Sequence, residues 1–150
     1  MPAAVIVAGA VIQGALGRWV SSPWWSPDLL VICLLLALVA QPTRATVWIA
    51  TAAATAAILA AGQPVLVASM YLACGALFRW IGARWNLADG SVQLAGVALA
   101  ESLLASAWLI GAGAVTLDEA AGAVVRVLLT AAALPIVRAL TRAVLRPSTS

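Results

Sequence analysis

The feature that most constrains this chain is a succession of apolar segments of nearly membrane length, separated by turns of only a few polar residues. Hydrophobic residues make up 65% of the 150 positions and charged residues only 9%, whereas a soluble domain carries about 25% charged residues. A water-soluble core cannot bury so much apolar surface, but a lipid bilayer can. The sequence therefore predicts an all-α integral membrane protein that forms a single domain.

The lengths of the apolar segments predict how often the chain crosses the membrane. A hydrocarbon core of about 30 Å needs about 20 apolar residues in a helix. We predict six transmembrane helices with short loops, at residues 3–20, 28–40, 46–61, 65–82, 92–113 and 120–138. The last helix is expected to start at a capping box of Thr116 and Glu119 and to continue through Pro135 to about Leu145. Residues 147–150 are predicted to be a frayed tail.

The first polar interruption, SSPWWSPDLL at residues 21–30, is predicted to be a tight bend outside the membrane. Pro23 and Pro27 would close one helix and open the next, because proline has no N–H to donate within a helix. Trp24 and Trp25 suit the headgroup level, where an indole buries its ring and keeps its N–H hydrated. Two interpretations stay open for this tryptophan pair, namely anchors in the lipid interface and contacts for a partner protein.

The arginines predict the orientation. The net charge is +3, and all eight basic residues are arginine. If six helices cross the membrane, one side holds six of them: Arg44, Arg79, Arg84, Arg138, Arg142 and Arg146. The positive-inside rule makes that side cytoplasmic, with both termini there and these arginines as anchors among anionic headgroups of the inner membrane. Because they lie at helix ends and not on one polar face, a nucleic-acid partner is not expected.

Glu101 is the acidic residue placed deepest in an apolar segment, roughly 14 Å along its helix. An ionisable group at this depth is a functional hypothesis by default: a substrate contact, a proton relay or a polar anchor for a partner helix. The simpler alternative is a carboxylate that ties helices together, with Arg126 as its partner. Otherwise Arg126 would extend outward to Glu119. Gln13 adds a polar side chain to the first span.

Motifs of catalysis are missing from the sequence. There is no histidine, and no glycine-rich phosphate loop or metal-ligand cluster can be recognised. Cys33 and Cys74 lie in apolar segments and are interpreted as small core residues. We therefore expect no enzymatic activity, catalytic residue, cofactor or metal site.

The motif Pro27-Asp28-Leu29-Leu30, which opens a leucine-rich second helix, resembles the rod shape-determining protein MreD family. The resemblance extends to the layout of the chain, with Arg44 after the second helix, Glu101 in the fifth, and Pro135 with an arginine-rich end in the sixth. The chain departs from the family where relatives often carry an aspartate at the end of the third span, because residues 60–64 read AAGQP here.

The resemblance implies a fold similar to the substrate-binding subunits of energy-coupling factor transporters. It also implies a non-enzymatic inner-membrane scaffold of the bacterial elongation complex, active in rod-shape maintenance and peptidoglycan synthesis. Its partners would be MreC, RodA and the elongation-specific penicillin-binding protein, besides the lipid bilayer. The alternative is a vitamin-binding subunit of such a transporter, whose candidate polar groups are Gln13, Tyr71, Asn86, Gln93 and Glu101.

Overall fold

The computed structural model describes residues 2–19, 25–41, 43–60, 62, 65–113 and 115–145. Its six helices are α1 (Pro2–Trp19), α2 (Leu29–Ala40), α3 (Arg44–Ala60), α4 (Val65–Gly82), α5 (Gly90–Ala112) and α6 (Leu117–Leu145). Within these described residues, the predicted all-helical architecture with six helices is confirmed. Each helix begins within three residues of the predicted start of its apolar segment.

Helix α2 is the centre of the bundle. Its sequence, LLVICLLLALVA, has no polar side chain, and a helix that is apolar on every face is typically buried. Eight of its 12 residues are buried, and α2 contacts each of the other five helices. Those helices pack around it in the order α1, α3, α4, α5, α6.

Among the described residues, three segments are long and apolar enough to cross a membrane: Val65–Arg84, Gly90–Gly111 and Leu117–Arg142. The apolar stretches of the first three helices are shorter: Val5–Ala15, Leu29–Ala40 and Arg44–Ala60. Helix α2, with 12 residues at 1.5 Å per residue, is about 18 Å long, against a hydrocarbon core of about 30 Å. The second helix is thus too short to cross the hydrocarbon core by itself.

The start of α6 has the predicted capping box. The backbone N–H of Glu119 donates to Thr116 Oγ1 over 3.2 Å, and the Thr116 N–H donates to Glu119 Oε2 over 2.9 Å. These bonds satisfy N–H groups that a helix start leaves without partners. The helix then continues through Pro135 to Leu145, as predicted.

The arginines predicted to share one side of the membrane gather at one end of the bundle. Five of the six belong to the described residues: Arg44, Arg79, Arg84, Arg138 and Arg142. Arg44 and Arg79 line one recess where α2 ends, α3 begins and α4 ends. Arg138 in α6 donates a hydrogen bond to Ala88 O just before α5. Arg146 lies outside the described residues. We refer to this end as the arginine-rich end.

Helices α3 and α4 approach each other closely at Gly75. A Cβ atom placed on Gly75 would overlap Cγ2 of Thr51 in α3. The Thr51 hydroxyl in turn donates to Val47 O over 2.7 Å, which fixes its side chain. Small residues at helix contacts are a common basis of close packing in membranes, where apolar surface alone does not favour protein over lipid.

We expect Gly75→Ala to lower the free energy of unfolding by about 1–3 kcal/mol, because the added methyl group meets Thr51 in a packed interface. Thermal unfolding in mild detergent, followed by circular dichroism, measures the change. The double variant Thr51→Ser/Gly75→Ala removes Cγ2 and should recover most of the loss. The matched control is Gly14→Ala, because a Cβ there has no neighbour within 4 Å. A Gly75→Ala protein as stable as this control would contradict the close approach.

Candidate functional site

Asp28 is the N-cap of α2 and is fully buried. Its Oδ1 accepts hydrogen bonds from the N–H groups of Leu30 (3.0 Å) and Val31 (3.2 Å). Its own N–H donates to Thr130 Oγ1 on α6 over 2.9 Å. The sequence predicted a bend between the first two helices here, and it did not predict that Asp28 would be buried within the protein. The carboxylate lies inside the bundle because helix N–H groups and side chains of other helices replace its water.

The second carboxylate oxygen of Asp28 joins two further helices to the start of α2. Asp28 Oδ2 accepts a hydrogen bond from the Tyr71 hydroxyl on α4 at 2.5 Å. It also accepts one from Arg126 Nη2 on α6, an ion pair with an N–O distance of 2.8 Å. Tyr71 is 1% and Arg126 7% exposed, so both donors act in a dry environment, where such bonds are strong.

Arg126 also pairs with Glu101. Its Nε donates to Glu101 Oε1 at 2.5 Å, and Glu101 is fully buried. Of the two partners that the sequence offers Arg126, the structure therefore selects Glu101, while Glu119 caps its own helix at Thr116. We call Asp28, Tyr71, Glu101, Arg126 and Thr130 the Asp28 cluster.

The inward direction of Arg126 follows from the pattern of α6. Ala123, Arg126, Thr130 and Leu134 are spaced three or four residues apart, and all are buried. Positions at this spacing share one face of a helix. Arg126 thus belongs to the stripe that packs against the bundle, and Thr130 follows it by one turn.

The contacts of the cluster determine how far along the length of the bundle α2 begins. Glu101 has eleven residues of α5 on either side, so it marks the middle of that helix. The guanidinium of Arg126 contacts both Glu101 and Asp28, and α2 therefore starts near the mid-level of α5. From there its length of about 18 Å reaches the arginine-rich end, where Leu38 lies beside Arg79 in one recess.

A helix that starts inside the bundle needs acceptors for its first N–H groups. Asp28 provides two of these acceptor contacts. Its negative charge also lies next to the positive end of the helix dipole, which is a favourable interaction. Gln13 on α1 provides another, because its Oε1 accepts from the N–H of Leu30 over 3.1 Å. Five helices therefore meet at the start of α2: α1, α2 itself, α4, α6 and, through Arg126, α5.

The two carboxylates of the cluster are not bonded equally. Asp28 accepts four hydrogen bonds, two on each oxygen. Glu101 accepts the bond from Arg126, and its other oxygen, Oε2, is buried without a hydrogen-bond partner among the described residues. Asp28 is thus the acid on which the cluster mainly depends.

The other residues of the Pro27–Leu30 motif and the tryptophan pair lie around this core. Trp25 is 65% exposed, Pro27 and Leu29 are half-buried, and Leu30 is buried. Trp24 lies outside the described residues. Over three positions the chain passes from a solvent- or lipid-facing indole to a fully buried carboxylate.

The polar residues weighed for a vitamin site do not converge. Tyr71 and Glu101 belong to the Asp28 cluster, and Gln13 contacts Leu30 beside it. Asn86 and Gln93 lie instead near the arginine-rich end. Asn86 Oδ1 accepts from the N–H of Ala88, and Gln93 Nε2 donates to Leu87 O.

Sequence reasoning missed the buried position of Asp28 and the participation of Tyr71 and Thr130. For Thr130 a signal exists, because it follows Arg126 by four residues on the same face of α6. For Asp28 the neighbouring tryptophans and prolines give no signal of burial, because its partners Tyr71, Arg126 and Thr130 lie far away along the chain.

Comparison with known proteins identifies no relative of this chain. No family model, no curated protein and no solved structure matches the chain. Within the described residues, no group of three or more His, Cys, Asp or Glu side chains is arranged to hold a metal ion.

We expect Asp28→Asn to lower the free energy of unfolding by about 3 kcal/mol or more, because it leaves Arg126 without its best-bonded partner in a buried site. Glu101→Gln keeps an oxygen that can accept from Arg126 Nε but removes the negative charge of this bond, and it should cost about 1 kcal/mol. Unfolding by SDS titration in mixed micelles measures both values.

The control for charge removal is Asp118→Asn at the exposed start of α6, which should change stability by about 0.5 kcal/mol or less. If Asp28→Asn were no more destabilising than this control, the cluster would not hold the helices together.

Proposed function

We propose that this chain is a non-enzymatic scaffold subunit of the bacterial elongation complex in the inner membrane. It binds MreC and, with RodA and the elongation-specific penicillin-binding protein, supports peptidoglycan synthesis and rod shape. The observation that carries the proposal is the bonding of Asp28, the acidic residue of the Pro27–Leu30 motif. Three of its hydrogen bonds join the start of α2 to α4 and α6, and two others cap α2 itself.

The bonding of the cluster favours a scaffold over a carrier or a vitamin-binding subunit. A carrier or binding subunit needs polar groups that can contact a cargo. In the Asp28 cluster, the guanidinium, the phenol and both carboxylates contact one another, and Glu101 Oε2 is the oxygen of the two carboxylates that has no hydrogen-bond partner among the described residues. Such a network holds helices in one arrangement, which is what a docking platform requires.

The outer surface of the bundle is apolar and suits lipid and membrane-embedded partners. Large hydrophobic side chains are exposed on several helices, among them Val11 on α1, Leu99 on α5 and Leu128 on α6. Trp25 is exposed three residues before Asp28, so this indole is held close to a residue that is bonded to both α4 and α6. Exposed aromatic residues on a rigid support are frequent hot spots of protein interfaces.

The proposal includes six crossings of the membrane, with the arginine-rich end in the cytoplasm. The second crossing then consists of α2 and the residues that lead into it. Non-helical backbone is tolerated at this depth where protein surrounds it and satisfies its polar groups. The bond from the Asp28 N–H to Thr130 is consistent with this requirement.

We expect single-cysteine reporters on either side of α5 to face opposite sides of the membrane. Val115→Cys, at an exposed position before α6, should react with a membrane-impermeant maleimide in intact spheroplasts. Ala83→Cys, at an exposed position after α4, should react only after lysis. Background is low because Cys33 and Cys74 are buried. Labelling of both reporters from one side would contradict the orientation.

We expect the purified chain to capture MreC from native membranes in mild detergent, and Trp25→Ala to weaken this capture about tenfold or more. The matched control is Trp48→Ala, because Trp48 on α3 is equally exposed at 63% but lies near the arginine-rich end. Failure of the unmodified chain to capture MreC, or co-purification of a vitamin instead, would overturn the scaffold function. Equal capture by the two variants would exclude Trp25 from the contact.

A further inference from the structure

The side-chain amide of Gln13 on α1 uses only one of its two ends within the chain. Its Oε1 accepts a hydrogen bond from the N–H of Leu30 over 3.1 Å, at the start of α2. Because an N–H group needs an acceptor, the amide atom that meets Leu30 is the oxygen, and the NH₂ group lies on the other side. This Nε2 donates no hydrogen bond within the part of the chain that the structure describes.

The Nε2 group can be reached from outside the chain. Gln13 is half-buried, and the described side-chain atoms that are buried without a partner are Gln93 Oε1 and Glu101 Oε2. Helix α1 packs mainly against α2 and α3, and its residues Val11 and Ile12 are exposed. A molecule that approaches α1 from the side can therefore contact the amide.

The donor lies at the mid-level of the bundle. Leu30 is in the first turn of α2, which begins near the middle of α5, and the bond to Leu30 holds Gln13 at the same level. In the membrane placement of the proposed function, this level is in the hydrocarbon core. No water is available there to accept from the amide, and an N–H group without an acceptor is costly in lipid.

The serines exposed on α5 have a different solution. The Ser102 hydroxyl donates to Ala98 O, and the Ser106 hydroxyl donates to Ser102 O, each over 2.7 Å. A hydroxyl that bonds to a carbonyl of its own helix can face lipid without any further partner. Because Nε2 of Gln13 has no such bond, its acceptor has to come from another molecule.

A second copy of the chain has the matching acceptor. The carbonyl oxygen of a glutamine can accept two hydrogen bonds, and Gln13 Oε1 receives one of them from Leu30. Nε2 of one copy can therefore donate to Oε1 of the other copy, and the reverse bond forms at the same time. Such a pairing is self-complementary, which is the property that a two-fold symmetric interface requires.

We propose that the chain forms a symmetric dimer in the membrane through α1, with the two Gln13 amides bonded to each other. Exposed apolar residues of α1, such as Val11, would pack around this pair. Apolar surface alone does not favour protein over lipid, so the amide bonds provide the preference for a second copy. The dimer rests on the membrane placement in the proposed function and not on the binding of MreC.

The test measures self-association of the purified full chain in liposomes over a range of protein-to-lipid ratios. Donor and acceptor dyes are attached to the exposed position Ala83→Cys, and energy transfer reports pairing. We expect the otherwise unmodified chain to dimerise, and excess unlabelled chain to abolish the energy transfer. Gln13→Leu should weaken dimerisation about tenfold, because both reciprocal bonds are lost.

The matched control is Ser102→Ala, which removes an exposed polar group next to Glu101 at the middle of α5. Its hydroxyl bonds within its own helix, so this variant should dimerise like the unmodified chain. Gln13→Leu also removes an acceptor of the Leu30 N–H. Its folding is therefore checked by thermal unfolding, followed by circular dichroism, before dimerisation is compared.

Cysteine crosslinking replaces the Gln13 variant if that protein does not fold. Single cysteines are placed at Val7, Val11 and Ile12, which are all exposed on α1, and at Leu99, which is exposed on α5. A short bismaleimide should join two copies through one or more of the α1 positions and not through Leu99. Crosslinking on α1 that is no stronger than at Leu99 would contradict the dimer.

Two further results would overturn the inference. One is a chain that stays monomeric at every protein-to-lipid ratio, and the other is a folded Gln13→Leu protein that dimerises like the Ser102→Ala control. A monomeric chain whose capture of MreC is weakened by Gln13→Leu would show that the amide bonds to a different protein. A chain that dimerises but captures no MreC would refute the scaffold function alone.

Discussion

The structure depends on the ion pair between Asp28 and Arg126. Within a bilayer, helices gain little by exchanging lipid contacts for apolar contacts with each other, so packing and polar bonds decide how they are arranged. A buried carboxylate and a buried guanidinium are each costly to desolvate, and each is tolerated only because the other is present. The pair joins the start of the central helix to α6, and Tyr71, Glu101 and Thr130 extend the connection to their own helices.

The position of α2 follows from this pair. A short apolar helix in the centre of a bundle has no polar side chain that determines its position along the bundle. Helix α2, with the sequence LLVICLLLALVA, could therefore slide along its neighbours without exposing a polar group. Asp28 prevents this sliding, because its carboxylate must meet Arg126 and Tyr71 while it caps the first N–H groups of α2. The same constraint holds the exposed Trp25 close to the bundle, and for that reason it is the position where we place a partner contact.

The bundle separates its polar chemistry into two levels. At mid-level, hydrogen bonds of the Asp28 cluster connect helices and stabilise one arrangement. At the arginine-rich end, Arg138 donates to Ala88 O and Gln93 donates to Leu87 O, so α6 and α5 are each bonded to the loop between α4 and α5. At both levels these hydrogen bonds connect separate segments of the chain and hold the helices in one arrangement.

The sequence by itself determined the six helices, the starts of these helices within a few residues, and the capping box of Thr116 and Glu119. It also determined that arginines gather at one end, since helices joined by short loops alternate in direction. All of these depend on interactions within one segment or one turn, namely apolar length, proline geometry and capping.

Only the tertiary structure decided that Asp28 is buried, that Tyr71 and Thr130 bond to it, and that Arg126 pairs with Glu101. The reason is separation along the chain, since Asp28 and Thr130 are 102 residues apart and no local pattern encodes their contact. Glu101 and Arg126 each have long side chains with more than one reachable partner, so their pairing is set by how α5 and α6 pack.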